Sequence, residues 1–213
     1  NHPYVRIELV GAISDALNLQ HTSDEDQSHK TEVGKNEDLR RSQEALRRGI
    51  RKTVTRRYAR TLGISPSLEA PSQMVLEEKP LAEGSMLDRW YSIPDFVGPF
   101  FVDFLVGPRG SLRGMDPAFK RPPFTLLEFI RPLWYQDPSL WQHHPVPVDF
   151  ANELMKTPPS YTDVLGVGGL IPWLAQTNSS HTARSISSQW AGDRWAVWEF
   201  PDGSAALFLE TRW

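Results

Sequence analysis

The chain contains no cysteine. Disulfide bonds, thiolate metal ligands and cysteine nucleophiles are therefore excluded, although this absence does not identify a compartment. Hydrophobic runs are also short, and none approaches the roughly 20 residues that a membrane-spanning helix needs. The start of the chain has no signal-peptide pattern. Because the first residue is Asn1 rather than Met, we expect a processed or trimmed form, and the compartment stays open.

Neither sign of charge dominates, since 23 basic and 26 acidic residues give the 213-residue chain a formal net charge of −3. This balance argues against a general nucleic-acid or membrane-surface binder. Hydrophobic residues make up 39% of the chain and include eight tryptophans, which is enough for a core. We therefore expect one folded domain over residues 1–213.

Hydrophobic spacing predicts a mainly helical α+β domain. Residues 4–20 are predicted to form a helix, and a longer helix is predicted for 36–62, with the cap motif NEDL at its start and Gly63 as its stop. One stripe of the first helix is expected to be buried. This stripe comprises Leu9, Val10, Ile13, Ala16 and Leu17.

The rest of the chain is predicted to form core helices, a hairpin and connectors. Apolar helices are predicted for 94–107, entered around Gly98–Pro99, for 121–135, which Pro132 should end or kink, and for 163–176. Alternating residues about a PDG turn predict a C-terminal β-hairpin with strands 194–200 and 205–212. Polar or proline-rich composition predicts an acidic loop at 21–36 and irregular connectors at 64–83 and 136–160.

The second predicted helix is densely basic. Its cationic residues are Arg40, Arg41, Arg47, Arg48, Arg51, Lys52, Arg56, Arg57 and Arg60. One interpretation is a docking face for RNA, anionic lipid or an acidic protein, with contacts from Arg47, Arg51, Arg56 and Arg57. The other, which we favour, is a helix whose charges are solvated or paired within the chain. Interleaved aromatics, which single-strand binding would need, are nearly absent here.

The six histidines form no metal-binding pattern. Adjacent His143 and His144 point in different directions, while His21 and His29 lie in the acidic loop, and His2 and His181 are isolated. We therefore expect solvated loop histidines and no bound metal or other cofactor.

Four segments, in order, resemble a family of bacterial zincin-like proteins of the gluzincin type. That family carries H-E-x-x-H on one helix and a glutamate on a second. IELVGAISDALNL (7–19) lies over the type HELTHALQDQHFDL, and ALRRGIRKTVTRRYAR (45–60) over ALVEGDATLVxxRYA. RPPFTLLEFIRPLWY (121–135) lies over PPxSTEQILHPEKY, and QWAGDRWAVWE (189–199) over a GWGGDRY-type strand start. The resemblance implies a zincin-like domain.

The resemblance also implies that the metal site has been lost. In the family, two histidines at i and i+4 and a carboxylate from the second helix bind zinc, and a glutamate beside the first histidine is the general base. Ile7, Gly11 and Arg48 occupy the ligand positions, and none of them coordinates a metal. Glu8 keeps the general-base position, whereas Leu127 and Arg131 replace a further Glu and His of the family. The vestigial cleft would comprise Ile7, Glu8, Gly11, Asp15, Arg48, Leu127 and Arg131.

These replacements suggest that the Arg48 guanidinium fills the space of the metal. In this hypothesis Arg48 pairs with Glu8, and Gly11 leaves room for the long side chain. Breaking such a pair, if buried, would cost about 3–5 kcal/mol. The alternative is that Glu8 and Arg48 are separate surface charges.

The sequence therefore predicts a pseudoenzyme with a structural or scaffold role, holding other protein subunits of a larger assembly. One alternative is a zinc-dependent peptidase whose ligands lie elsewhere in the chain. A second is a module that binds RNA or anionic lipid through helix 36–62, with binding that depends steeply on salt. The identity of the partner does not follow from the sequence.

Overall fold

Three long helices form the first half of the fold in this computed structural model, which describes residues 3–23, 36–64, 86–107, 110–140 and 158–213. Helix α1 spans Pro3–Ser23, α2 spans Glu37–Thr61 and α3 spans Met86–Val106. Helix α2 packs on both of the others. The Asn36 side chain accepts a hydrogen bond from Leu39 N at 2.9 Å and so caps α2. The predicted cap of the long basic helix is therefore confirmed.

The second half combines short helices with a small sheet. The helices are α4 (Asp116–Lys120), α5 (Leu126–Ile130), α6 (Pro132–Gln136), α7 (Gly166–Leu174) and α8 (Ser180–Ser187), with 3-10 turns at Leu112–Met115 and Pro138–Leu140. The strands are β1 (Tyr161–Asp163), β2 (Gly192–Glu199) and β3 (Ala205–Arg212). The predicted mainly helical α+β architecture with a C-terminal hairpin is confirmed. No helix in these ranges is both long and apolar enough to cross a membrane.

The hydrophobic core lies where α2, α3, α5 and α7 meet. At its centre the ring of Phe101 lies 4.5 Å from that of Phe129 and 5.0 Å from that of Tyr135. Aromatic pairs at this spacing add to the gain from burial alone. Leu127 and Leu170 fill the space around them.

Helices α2 and α3 cross at two glycines. A Cβ atom added at Gly98 would overlap the carbonyl of Ala45, and one added at Gly49 would overlap the carbonyl of Gly98. The two backbones therefore approach as closely as glycine allows. This crossing is the most extensive helix–helix contact in the described ranges.

The sheet is antiparallel, in the order β1-β2-β3. In the β2–β3 hairpin Trp195 lies opposite Leu209 and Val197 opposite Leu207. Strand β1 was not predicted, because three residues are too few for an alternating pattern. It pairs with the outer edge of β2, where Asp163 lies opposite Trp195.

Several boundaries differ from the sequence prediction. Helix α3 begins at Met86 and runs through Pro94 and Pro99, although the apolar pattern predicted a start near Gly98. Proline at position 99 cannot donate to Asp95 O, and Lys52 Nζ donates to that carbonyl instead, at 3.3 Å. Helix α1 also extends to Ser23, into the predicted acidic loop. The rest of that loop, and most of the connectors at 64–83 and 136–160, lie outside the described residues.

The prediction that one apolar stripe of α1 is buried is wrong. The helix forms, but Leu9, Ile13 and Leu17 are each at least half exposed. Among residues 4–17 of α1, Gly11 and Ser14 are the buried positions instead. Small residues allow the backbone of α1 to lie close to α2, and this close approach places the larger apolar side chains outside.

Candidate functional site

The contact between α1 and α2 holds the first part of the expected vestigial cleft. Glu8, Gly11 and Asp15 recur at intervals of three to four residues, so they share one side of α1. A Cβ added at Gly11 would lie 3.1 Å from Arg51 Nε and 3.2 Å from Thr55 Cγ2. The absence of a side chain at Gly11 therefore makes room for residues of α2.

The Arg51 guanidinium joins the two helices. Its Nη1 donates to Asp15 Oδ2 at 2.9 Å, and its Nη2 to Glu8 Oε2 at 3.3 Å. Arg47 Nη1 lies 3.5 Å from the second carboxylate oxygen of Asp15. Two cations and two carboxylates are thus paired across the helix contact, and the local charge is balanced.

Arg48 does not take this position, so the hypothesis of an Arg48–Glu8 pair is wrong. Its guanidinium bonds to Glu44 on its own helix and to Asp95 on α3. Position 48 lies three residues before position 51, and it faces α3 rather than α1. The arginine for which Gly11 makes room is Arg51, one helical turn after Arg48, the residue that the resemblance implied. The alternative, that Glu8 and Arg48 are separate charges, agrees with the structure, although each has a partner of its own: Glu8 pairs with Arg51, and Arg48 with Glu44 and Asp95.

The energy of the observed pair is also smaller than expected. The side chain of Glu8 is 77% exposed and that of Arg51 is 43% exposed. Ion pairs in contact with water contribute roughly 0–1 kcal/mol, because solvent screens the attraction. The 3–5 kcal/mol expected for a buried pair does not apply.

The last two residues of the expected cleft have other surroundings. Leu127, on α5, is almost fully buried in the core. Arg131 donates from Nη2 to Ser188 Oγ at 2.6 Å, and its guanidinium lies 5.2 Å from the centre of the Trp134 ring. Neither residue shares a hydrogen bond or an ion pair with Glu8 or Arg51. Among the described residues of the expected cleft and the basic helix, Glu8 and Asp15 therefore pair with Arg51 and Arg47.

The basic face of α2 is largely paired within the molecule. Arg56 bonds to Asp103 on α3, and Thr53 Oγ1 lies 3.2 Å from the same carboxylate. Arg57 donates to the carbonyls of Gly110 at 2.8 Å and Gly107 at 3.5 Å. The charge balance comes from acids of α1 and α3 and from Glu37 and Glu44 of α2 itself, which pair with Arg40, Arg41 and Arg48. Binding of a partner by Arg47, Arg51, Arg56 and Arg57 stays a prediction.

Sequence reasoning missed a buried acidic group, which we call the aspartate cluster: Asp38, Asp163 and Asp193. Asp193 accepts hydrogen bonds from Leu165 N at 2.7 Å and Gly166 N at 2.9 Å. Asp163 accepts from Glu37 N at 2.8 Å and from Tyr161 Oη at 2.7 Å. The cluster thus fastens the first turn of α2 to the sheet and to the start of α7.

Asp38 is packed against Gly166, at the centre of the cluster. Gly166 has a φ of 67°, and a Cβ there would overlap the Asp38 carboxylate. Only glycine combines this backbone conformation with this close approach. One carboxylate oxygen of Asp38, Oδ1, is buried and has no hydrogen-bond partner.

Burial shifts the acid–base behaviour of two of these aspartates. The pKa of Asp38 is raised to about 7, chiefly by burial and in addition by the negative charges of Asp193 and Glu128, against hydrogen bonds from Thr125 and Leu126. Burial likewise raises the pKa of Asp193 to about 6, although the amides of Leu165 and Gly166 oppose the shift. The signal in the sequence is the position of Asp163 and Asp193 beside predicted elements, whereas Asp38 lies in the cap motif NEDL, which gives no sign of burial.

Within the described ranges, no group of three or more histidine, aspartate or glutamate side chains is arranged to hold a metal ion. The chain also has no match among protein-family models, curated proteins or solved structures. The likeness to gluzincin-type proteins therefore depends on the four sequence segments alone.

Proposed function

We propose that this chain is a non-catalytic, zinc-peptidase-like protein that serves as a structural or scaffold subunit of a larger assembly. The observation that carries the proposal is the outward face of α1. Val5, Leu9, Ile13 and Leu17, which we call the α1 stripe, recur every four residues and are each at least 50% exposed. Apolar surface of this kind is costly to leave in water and marks interaction sites.

The chemistry of the stripe indicates its partner. Apolar side chains at i, i+4 and i+8 are the anchors of a helix that docks in an apolar groove. Between them lie Ala12 and Ala16, which are exposed and allow close approach. The acids at the margin, Glu8 and Asp15, are already paired with arginines of α2. The charges of these acids therefore need no compensation by a partner subunit, and the groove that receives the α1 stripe is expected to be apolar.

The same contact supports the absence of catalysis. Ile7 and Gly11 offer no lone pair to a metal, and the cation nearest to Glu8 is the Arg51 guanidinium. An arginine stays protonated under physiological conditions, so it cannot act as a ligand or activate water as a metal does. Glu8 lacks the partners that a metallopeptidase general base uses.

The non-catalytic part is tested by the metal content of the purified protein. We expect well under one zinc per chain by elemental analysis, because the resembling positions carry no ligands. Protein purified without chelators and a sample dialysed against EDTA should give the same value and the same thermal unfolding. Stoichiometric zinc that dialysis removes would contradict the proposal and favour the peptidase alternative.

The scaffold part is tested with the double variant Leu9→Lys/Ile13→Lys. Proteins that co-purify with the chain from its source are identified, and binding is then measured with purified components. We expect affinity to fall at least tenfold, because two charges would be buried in an apolar groove. Leu133→Lys is the matched control, since Leu133 on α6 is 59% exposed and lies off the stripe. Equal affinity of the double variant and the control would refute docking through α1.

A further inference from the structure

Strand β3 forms an open edge of the sheet. It is eight residues long and is the last strand in the order β1-β2-β3. In the part of the chain that the structure describes, no strand pairs with its outer side. Edge strands expose a row of unpaired N–H and C=O groups, and proteins usually protect them with proline, lysine or a bulge. Residues 205–212 contain neither proline nor lysine, and their register with β2 is unbroken.

The hydrogen-bond pattern shows which residues form this open edge. Phe200 N donates to Ser204 O at 2.8 Å, while on the other side of β2 Ser160 N donates to Val197 O. Bonded and non-bonded pairs alternate along an antiparallel ladder. Even-numbered residues of β3 therefore bond to β2, and the odd-numbered residues direct their backbone groups outward. These outward residues are Ala205, Leu207, Leu209 and Thr211.

The four residues whose backbone groups point outward carry mostly apolar side chains. Leu207 is 68% exposed, and Leu209 is exposed beside it on the same face. This face continues across the sheet to Val197 and Trp195, and the Trp195 ring lies 5.0 Å from that of Tyr161. The edge thus offers both unpaired backbone and an apolar face to a further strand.

We infer that the strand added to this edge is β3 of a second copy of this chain, antiparallel and centred on Phe208. In this register Ala205 lies opposite Thr211 of the second copy, and Leu207 opposite its Leu209. Each of the four outward residues then pairs with an outward residue of the second copy. Each pair shares two backbone hydrogen bonds, which gives eight in total. The result is a continuous six-stranded sheet with two-fold symmetry, the commonest symmetry of protein oligomers.

The number of backbone bonds and the charges both favour this register. Centred on Phe208, the pairing places Glu210 opposite Ala206 and Arg212 opposite Ser204, so no like charges meet. The neighbouring registers, centred on Leu207 or Leu209, pair only three of the four outward residues with one another. Centring the pairing on Glu210 slides one strand by four residues and places two glutamates directly opposite each other, which is destabilising. The pairing of all four outward residues therefore selects the register centred on Phe208.

The association is tested by sedimentation equilibrium of the full chain between about 1 and 100 μM. We expect a dimer, and at least a tenfold weaker dimer in Leu207→Lys/Leu209→Lys, because the pairing brings the new lysines together. Leu9→Lys/Ile13→Lys, on the α1 stripe, should leave the dimer unchanged. A monomer at all concentrations, an unchanged dimer in the β3 variant, or loss of the dimer in the α1 variant would each overturn the inference.

The register is tested by crosslinking, for which the absence of native cysteine is an advantage. The variant Ala205→Cys/Thr211→Cys should be linked between chains by a short bis-maleimide. Neither single variant should be linked, because like positions would lie six residues apart, about 20 Å along the strand. Ala205 is exposed and Thr211 is partly buried, and neither belongs to the core, so the variants should fold. Linkage of the single variants, or none in the double variant, would overturn this arrangement.

Discussion

Replacing Gly98 with alanine should lower the free energy of unfolding by about 3 kcal/mol, at the upper end of what added core volume costs. The new methyl group would overlap Ala45 O and lie 3.1 Å from Gly49 N, and both atoms belong to the backbone of α2. Backbone atoms in a helix cannot move aside without breaking its hydrogen bonds. Helices α2 and α3 would therefore have to separate along their whole contact, which includes Phe101 and Val97 in the core. Urea denaturation of the two proteins measures the difference.

Gly11→Ala provides the control for this measurement. Its new Cβ would also be close to neighbours, but these are the side-chain atoms Arg51 Nε and Thr55 Cγ2, which can move. Alanine also has a higher helix propensity than glycine, by about 1 kcal/mol. We expect the stability of this variant to change by less than about 1 kcal/mol. If Gly98→Ala lowered the free energy of unfolding no more than Gly11→Ala does, the close approach of α2 and α3 at Gly98 would be refuted.

Raising the pH from 5 to 8 should destabilise the protein. Because the pKa of Asp38 is raised to about 7, the folded state holds a proton that the unfolded chain releases near pH 4. This contribution to stability is complete below the unfolded pKa and is lost as the pH rises through the folded pKa. Each pH unit between 5 and the folded pKa of about 7 costs about 1.4 kcal/mol, so the expected loss between pH 5 and 8 is about 3 kcal/mol. The raised pKa of Asp193, about 6, acts in the same direction.

The substitution Asp38→Asn isolates this effect. Asparagine is neutral at every pH and nearly the same size, so the free energy of unfolding should depend less on pH between 5 and 8. The variant should exceed the wild-type protein in stability at pH 8. Asp202→Asn, in the exposed hairpin turn, should leave the slope unchanged in that interval, since hydrogen bonds from the side chain and backbone of Ser204 hold the pKa of Asp202 below its usual value. Urea titrations of the wild-type protein and both variants at four pH values measure these slopes. A slope in Asp38→Asn equal to that of the wild-type protein would refute the role of Asp38.

Local patterns predicted the elements whose causes are local. The Asn36 cap, the long helix after it and the PDG hairpin all depend on residues within a few positions of each other. The prolines of α3 misled the prediction, because the carbonyl that Pro99 leaves free is bonded by Lys52, 43 residues away. No short-range pattern contains that contact.

The candidate site was predicted only in part, for the same reason. The pattern identified Gly11 and Glu8 as neighbours of an arginine on the next helix. It did not decide between Arg48 and Arg51, because the register of two packed helices depends on the fit of both surfaces. The exposed stripe of α1 also escaped prediction. An apolar period shows that one face differs from the other, but the ion pairs of Asp15 decide which face meets α2.

The hydrogen bond from Glu37 N to Asp163 Oδ1 spans 126 positions of the chain, and Asp38 is enclosed by residues still later in the sequence. The first turn of α2 is therefore completed only by residues that leave the ribosome after most of the chain has been synthesised. Contacts between such distant positions slow folding, since long loops must close first. We therefore expect the first turn of α2 to gain its native hydrogen bonds late in folding.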